Sequence, residues 1–176
     1  YFGNKEAVLN DEPLRLGFVG AQKQIKGWDI FKKVVAAAED EGCNYDFYYF
    51  GNGSEKIDGV TAVNVDIATQ GKDAMIKNLK EKRISAVFLV CVWGETYSYT
   101  TYESHAADCY IFAMKSGGNI PYTVEKNHWG RVFSTEEELV KAILDEKALR
   151  EEINAWKKNA APGAAAYMDN DDILAR

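Results

Sequence analysis

The stretch Leu14-Arg15-Leu16-Gly17-Phe18-Val19-Gly20 decides the fold, through its own pattern and through the change of period just C-terminal to it. It is a short, mostly apolar run that stops at a glycine, the signature of a buried strand. Over 27–41 the period changes. Ile30, Phe31, Val34, Val35 and Ala38 recur at three and four residues, which predicts a helix with one apolar stripe, and Gly42 stands where a helix ends. A strand running straight into an amphipathic helix is the opening of a βαβ unit.

The same alternation continues outward. Residues 45–50 read as an aromatic-rich strand ending at Gly51-Asn52-Gly53, and 60–65 as a third strand. A basic amphipathic helix is expected over 70–82. The most apolar strand, 85–92, is placed centrally because it carries no polar face. A short helix over 100–107 and a fifth strand over 109–114 follow. Short edge strands are expected at 120–124 and 130–133. Ser134 or Thr135 can cap a helix running to 145, with Glu137 or Glu138 three residues on, and a last helix covers 147–159. Strand–helix repetition of this kind predicts an α/β, Rossmann-like parallel sheet with helices on both faces. Ligand sites in such sheets lie at the carboxyl ends of the strands, which directs attention to loops 20–27, 51–57, 66–70, 92–100 and 115–119.

Composition bounds the rest. The chain has 176 residues, 47% of them hydrophobic and 27% charged, enough for one globular domain and incompatible with a disordered or fibrous chain. The expected division is a leading segment over 1–13, one domain over 14–160 and a tail over 161–176. The start at Tyr1-Phe2-Gly3, without an initiator Met, is read as a cut near an interdomain linker. A formal net charge of −6 argues against a partner that is nucleic acid. The longest apolar run, 86–93, falls far short of the ~18–20 residues of a membrane span. Cys43, Cys91 and Cys109 are widely spaced and odd in number, giving neither a metal pattern nor a disulfide framework, so a reducing, cytoplasmic setting is expected. No metal site is expected around His105 or His128 either.

Three loops could carry chemistry. Gly20-Ala21-Gln22-Lys23-Gln24-Ile25-Lys26-Gly27 joins a strand to a helix and offers glycine, positive charge and helix amides to a phosphate. It is no Walker loop, because Lys26 precedes its glycine and neither Ser nor Thr follows. Gly51-Asn52-Gly53 resembles half of a dinucleotide fingerprint, but Lys56 replaces the third glycine. The stretch Trp93-Gly94-Glu95-Thr96-Tyr97-Ser98-Tyr99-Thr100-Thr101-Tyr102-Glu103 leaves the central strand and enters a helix. Glu95 is expected in the loop, Glu103 in the first helical turn, and the amides of Tyr97, Ser98 and Tyr99 near an anion. Carboxylates there suit sugar or ribose hydroxyls. Thr100-x-x-Glu103 is equally a capping box, which would explain Glu103 structurally. Ser116-Gly117-Gly118-Asn119 closes the fifth strand. A receiver domain would need an Asp at the end of the central strand, where this sequence has Val92-Trp93-Gly94.

In this order, Gly20, Lys26-Gly27, Phe50-Gly51-Asn52-Gly53, Glu95…Glu103 and Gly117-Gly118 resemble the C-terminal, nucleotide-sugar-binding half of family-4, GT-B-fold retaining glycosyltransferases (glycosyl transferases group 1). The resemblance spans about 14–145. It implies that Gly20 lets the donor approach, Lys26 contacts its pyrophosphate, and Glu95, the catalytic candidate, holds hydroxyls of the transferred sugar. The backbone at Tyr97, Ser98 and Tyr99 would bind phosphate and Glu103 the ribose. It implies a UDP- or GDP-sugar as substrate, no cofactor and no metal. The acceptor, a glycan or lipid, would be bound by a second, N-terminal domain, so this half alone would bind nucleotide without transferring sugar, and the whole protein could sit peripherally on a membrane. Three residues depart from the pattern: Ala21 where the family usually has a phosphate-binding Arg, Asp108 in place of a glycine, and Tyr122 where an acidic residue often follows the proline. Ala21 favours the alternative, a degenerate, non-catalytic nucleotide- or sugar-binding module; the Glu95–Glu103 pair favours the enzyme.

Overall fold

In the computed structural model, which describes residues 7–8 and 11–160, six strands form one parallel sheet. They are β1 (Leu14–Val19), β2 (Tyr45–Gly51), β3 (Val60–Asn64), β4 (Ala86–Leu89), β5 (Tyr110–Met114) and β6 (Gly130–Phe133). The order across the sheet is β3-β2-β1-β4-β5-β6, all neighbours parallel, as the alternation predicted. The tail expected over 161–176 lies outside the described residues, as does most of the leading segment 1–13.

Residue alternation along the strands builds two cores. One face carries Leu16, Phe18, Phe47, Tyr49, Phe88 and Phe112, covered by α1 (Trp28–Asp40), α6 (Glu136–Leu144) and α7 (Glu146–Asn159). Phe31 of α1 bridges Phe18 and Phe88 at ring-centroid distances of 5.3 Å each, tying the helix to the two central strands. The other face carries Val19, Phe50, Val87, Leu89, Ile111 and Ala113 under α3 (Ala74–Glu81), α4 (Tyr99–Ala106) and α5 (Asn119–Asn127). Every residue of β4 and β5 is buried, which is why 85–92 reads as uninterrupted apolar sequence. α1 closes as expected at Gly42, whose amide donates to Glu39 O while Cys43 N donates to Ala38 O.

Four local expectations differ from the structure. Residues 120–124 are not a strand but lie within α5; Pro121 sits in its first turn, where no helical N–H bond is lost, and Ile120 and Val124 are buried four residues apart. The single helix over 70–82 is two, α2 (Ile67–Gln70) and α3, because Asp66 caps the first at Ala68 N and Gly71, a poor helix former, interrupts the run. The strand over 85–92 pairs only at Ala86–Leu89. α4 begins at Tyr99 with Ser98 as its N-cap, so Thr100 lies inside the helix and the Thr100–Glu103 capping box does not form. Glu103 accordingly falls in the second turn, not the first.

The Thr135 cap at α6 does form, with Glu138 reaching back one residue beyond the N-cap. Thr135 Oγ1 accepts from Glu138 N at 3.2 Å, and Glu138 Oε2 accepts from Ser134 N at 2.9 Å. Thr135→Ala removes an exposed cap and is expected to cost about 1 kcal/mol, read as a lower urea midpoint at constant m-value. No helix among the described residues is long and apolar enough to cross a membrane.

Candidate functional site

The sheet order reverses between β1 and β4: the chain builds β2 and β3 on one side, then returns to add β4, β5 and β6 on the other. A crevice outside the carboxyl ends of these two strands is where such sheets bind ligands. Lys26, Glu95 and the Gly117-Gly118 turn are brought there from three loops.

Lys26 ends a 3-10 turn, Gln24–Lys26, that leads into α1 through Gly27. The turn is fastened to the central strand, since Val92 N donates to Ile25 O at 3.1 Å. Gly27 has φ 85°, and a Cβ there would stand 2.2 Å from Val90 O, so the start of α1 lies directly on the end of β4. This contact delivers Lys26 to Glu95: Lys26 Nζ donates to Glu95 Oε1 in an ion pair whose side chains stay 34% and 20% exposed. Both groups remain open to an incoming ligand.

Glu95 is held by its backbone. Its N–H donates to Gly117 O at 3.3 Å, and its carbonyl accepts from Asn119 N at 2.8 Å. Gly118, at φ 68°, pairs with it so closely that a Cβ would fall 2.6 Å from Glu95 N. The two glycines are therefore a seat for Glu95, a role that only the folded contact reveals. Gly20 ends β1 and donates to Phe50 O at 3.1 Å.

Ser98 makes no side-chain cap on α4, and no acidic residue stands in the first turn, so that turn brings no carboxylate of its own to the helix amides and positive dipole end. Ser98 Oγ instead shares a hydrogen with Thr100 Oγ1 at 2.9 Å. The side chains of Tyr97 and Tyr99 are exposed and pack edge to face at 4.9 Å. Glu103 is 7% exposed on the buried side of α4. His105 stacks on Trp129 at 3.9 Å, a packing contact, and His128 contributes its backbone carbonyl to Trp156 Nε1. No group of three or more His, Cys, Asp or Glu able to hold a metal occurs among the described residues.

Cys91, at the end of β4, is pushed up to about 11 by burial, with Glu95 adding to the shift and Lys26 opposing it. Near neutral pH it is a thiol, which excludes a thiolate nucleophile at this place.

Glu55 was not singled out by the sequence pattern, yet it organises the wall beside the crevice. Its N–H and carbonyl bind the Gln22 amide at 2.8 and 2.7 Å, while its carboxylate accepts from Trp28 Nε1 at 2.6 Å and Lys32 Nζ at 3.0 Å. Lys32, then Trp28, hold its carboxyl below the usual range. The clasp joins loops 20–27 and 51–57; its partners lie far apart in sequence, and nothing local announces it. Of the residues departing from the family pattern, Asp108 has φ 57°, the left-handed backbone that glycine favours and Asp tolerates. Ala21 and the exposed Lys23 stand in the loop beside Gly20, and Lys23 forms no ion pair among the described residues.

No family model matches this sequence, and no curated protein does. Solved structures do. The lipopolysaccharide outer core galactosyltransferase WaaB in its apo form superposes with TM-score 0.62 at 12% identity, covering 89% of this chain and 47% of that one. Anabaena HepE in complex with UDP and glucose gives 0.56 at 11%, covering 84% and 43%. The C-terminal domain of a glycosyl transferase group 1 family protein, LpcC from Francisella tularensis, gives 0.56 at 13%, covering 82% and 83%. The chain thus spans less than half of the first two and most of the third. These likenesses establish the fold, which is that of glycosyltransferase domains.

Proposed function

We propose that this chain is the nucleotide-sugar donor-binding domain of a family-4, group 1 retaining glycosyltransferase of GT-B architecture. The observation that carries the reading is the Lys26–Glu95 pair, assembled from two loops at the switch point of a sheet with the fold of glycosyltransferase domains.

In this reading Lys26 exchanges Glu95 for the donor's pyrophosphate, joined by the backbone amides at Tyr97, Ser98 and Tyr99. Gly20 leaves room for the phosphates. Glu95, released, accepts hydrogen bonds from hydroxyls of the sugar, and Glu103 from the ribose. The anomeric carbon–oxygen bond breaks with its electron pair leaving on the diphosphate. The acceptor hydroxyl oxygen bonds to the same face of the sugar, and its proton passes to the departing phosphate. The protein's main contribution is to stabilise the charge that develops on that phosphate, which cations and fixed dipoles do best in a water-poor crevice. Neither a metal nor another cofactor is proposed.

The acceptor, a glycan or lipid, is assigned to a second domain, and the reaction to the cytoplasm. This chain alone then binds the donor without transferring sugar. Ala21, which leaves the leaving-group clamp one cation short of the family pattern, favours the second reading of a non-catalytic binding module.

Thermal unfolding of the chain with UDP, GDP and their sugars tests the donor site. One nucleotide is expected to raise the midpoint saturably, with the response lost in Lys26→Ala. No stabilisation by any nucleotide would overturn the donor-site reading. Stabilisation together with transfer activity in the protein bearing both domains decides for the enzyme.

A further inference from the structure

The amino ends of the same strands enclose a second, unrelated feature. Beneath the starts of β1, β4 and β5, about 20 Å along the sheet from the crevice at 3.3 Å per residue, lies a cavity of about 100 Å³. Its walls include Arg15, Lys80, Arg83 and Lys157 against the carboxylates of Glu12 and Asp108. Arg15 is engaged, with Asp46 at 3.6 Å and the Lys82 carbonyl at 3.2 Å. Lys80, Arg83 and Lys157 take part in no ion pair among the described residues.

Lys157 makes the cavity more than a basic patch. It is only 6% exposed, in the last turns of α7. Burial lowers its affinity for its proton, and the repulsion of Arg83 outweighs the attraction of Asp108. Neighbouring Cys109 gives no counter-charge, because burial pushes its thiol up to about 12. A buried ammonium beside a guanidinium, without a bonded carboxylate, is a costly arrangement for a chain to keep. An anion seated among Lys157, Arg83 and Lys80 removes the cost, and the fork of Arg83 suits a tetrahedral oxyanion. At about 10–15 Å³ per water, the space holds several waters or one such ion.

We propose that this cavity is an anion site for a phosphate group, free or at the head of a phosphomonoester, separate from the donor crevice. The site couples to the fold through α7, α3 and the strand starts, so its occupation stabilises the domain.

The test is thermal unfolding of the chain in inorganic phosphate, and separately in glycerol 3-phosphate, with chloride holding ionic strength constant. A saturable rise of several degrees is expected, and the ligand with the larger rise identifies the source. Lys157→Met is expected to unfold at a higher temperature than the parent without phosphate and to lose the response to it. The double variant Lys80→Gln/Arg83→Gln, which leaves the buried lysine in place, is expected to weaken phosphate binding at least tenfold and serves if Lys157→Met fails to fold. Lys26→Ala keeps the full response. The proposal is overturned if phosphate leaves the parent's midpoint unchanged, if the cavity variants respond as the parent does, or if Lys26→Ala abolishes the effect.

Discussion

Lys26→Ala is expected to weaken binding of the nucleoside diphosphate about 10–100-fold, while Glu95→Gln is expected to leave that affinity within a few-fold and to weaken binding of the intact nucleotide-sugar. The asymmetry follows from the roles assigned to the pair. A charge-assisted hydrogen bond to a phosphate contributes about 1.5–3 kcal/mol, and alanine removes it from every ligand that carries the diphosphate. Glutamine keeps the shape of Glu95 and its backbone seat against Gly117 and Gly118, but accepts less strongly from sugar hydroxyls. The two side chains bind each other in the free domain, so their effects are not additive. Glu95→Gln frees Lys26 from its partner, and the double variant is expected to bind diphosphate no worse than Lys26→Ala alone. Calorimetric titration of the four proteins with diphosphate and with sugar donor closes the cycle. Equal losses for both ligands in Glu95→Gln would remove Glu95 from the sugar's surroundings. If the chain belongs to a two-domain enzyme as proposed, loss of the Lys26 charge from the developing phosphate is expected to lower that enzyme's turnover by about 10²–10³-fold.

The parallel sheet was legible because strand burial leaves a one-dimensional trace. β1, β4 and β5 read as apolar runs, and α1 and α6 as stripes with caps at predictable spacing. Where one pattern serves two structures the reading failed. Ile120-Pro121-Tyr122-Thr123-Val124 has strand-like composition, yet its buried residues lie on one face of a helix whose start is set by contacts of Gly118 with Glu95, which no local window contains. Thr100-x-x-Glu103 satisfies a capping rule, but the backbone turns two residues earlier, at Ser98.

For the candidate site, residue types and chain order pointed to the loops of Lys26 and Glu95, which the fold brings together. Their mutual contact depends on where β1 and β4 end side by side, a fact of topology rather than of spacing. The Gln22–Glu55 clasp and the cationic cavity around Lys157 had no sequence signature at all, since each gathers residues from separate elements whose neighbours are ordinary polar surface.

The same dependence of site on packing predicts a large effect at a residue with no side chain. Gly27→Ala is expected to destabilise the domain by about 2–5 kcal/mol. The left-handed φ of 85° contributes about 1–2 kcal/mol for any L residue with a Cβ. The methyl group would also meet Val90 O at 2.2 Å and Val90 C at 2.8 Å. Those are backbone atoms of the central strand's end, so relief requires moving α1 away from β4, at a cost typical of overpacking, about 1–3 kcal/mol. For a chain of this size the sum lowers the unfolding midpoint by roughly 10 °C. Gly27→Asn separates the two causes, because Asn tolerates the left-handed region but still carries a Cβ. It is expected to recover part of the loss and remain below the parent; an Asn variant as stable as the parent would eliminate the contact with Val90 as a cause. The displacement also has a functional direction. Gly27 is the pivot between the turn that carries Lys26 and the helix that anchors it through Phe31, so moving α1 shifts the backbone that carries Lys26 relative to Glu95. Nucleotide affinity is therefore expected to fall in Gly27→Ala even at temperatures where the protein remains folded, as calorimetric titration below the unfolding transition would read.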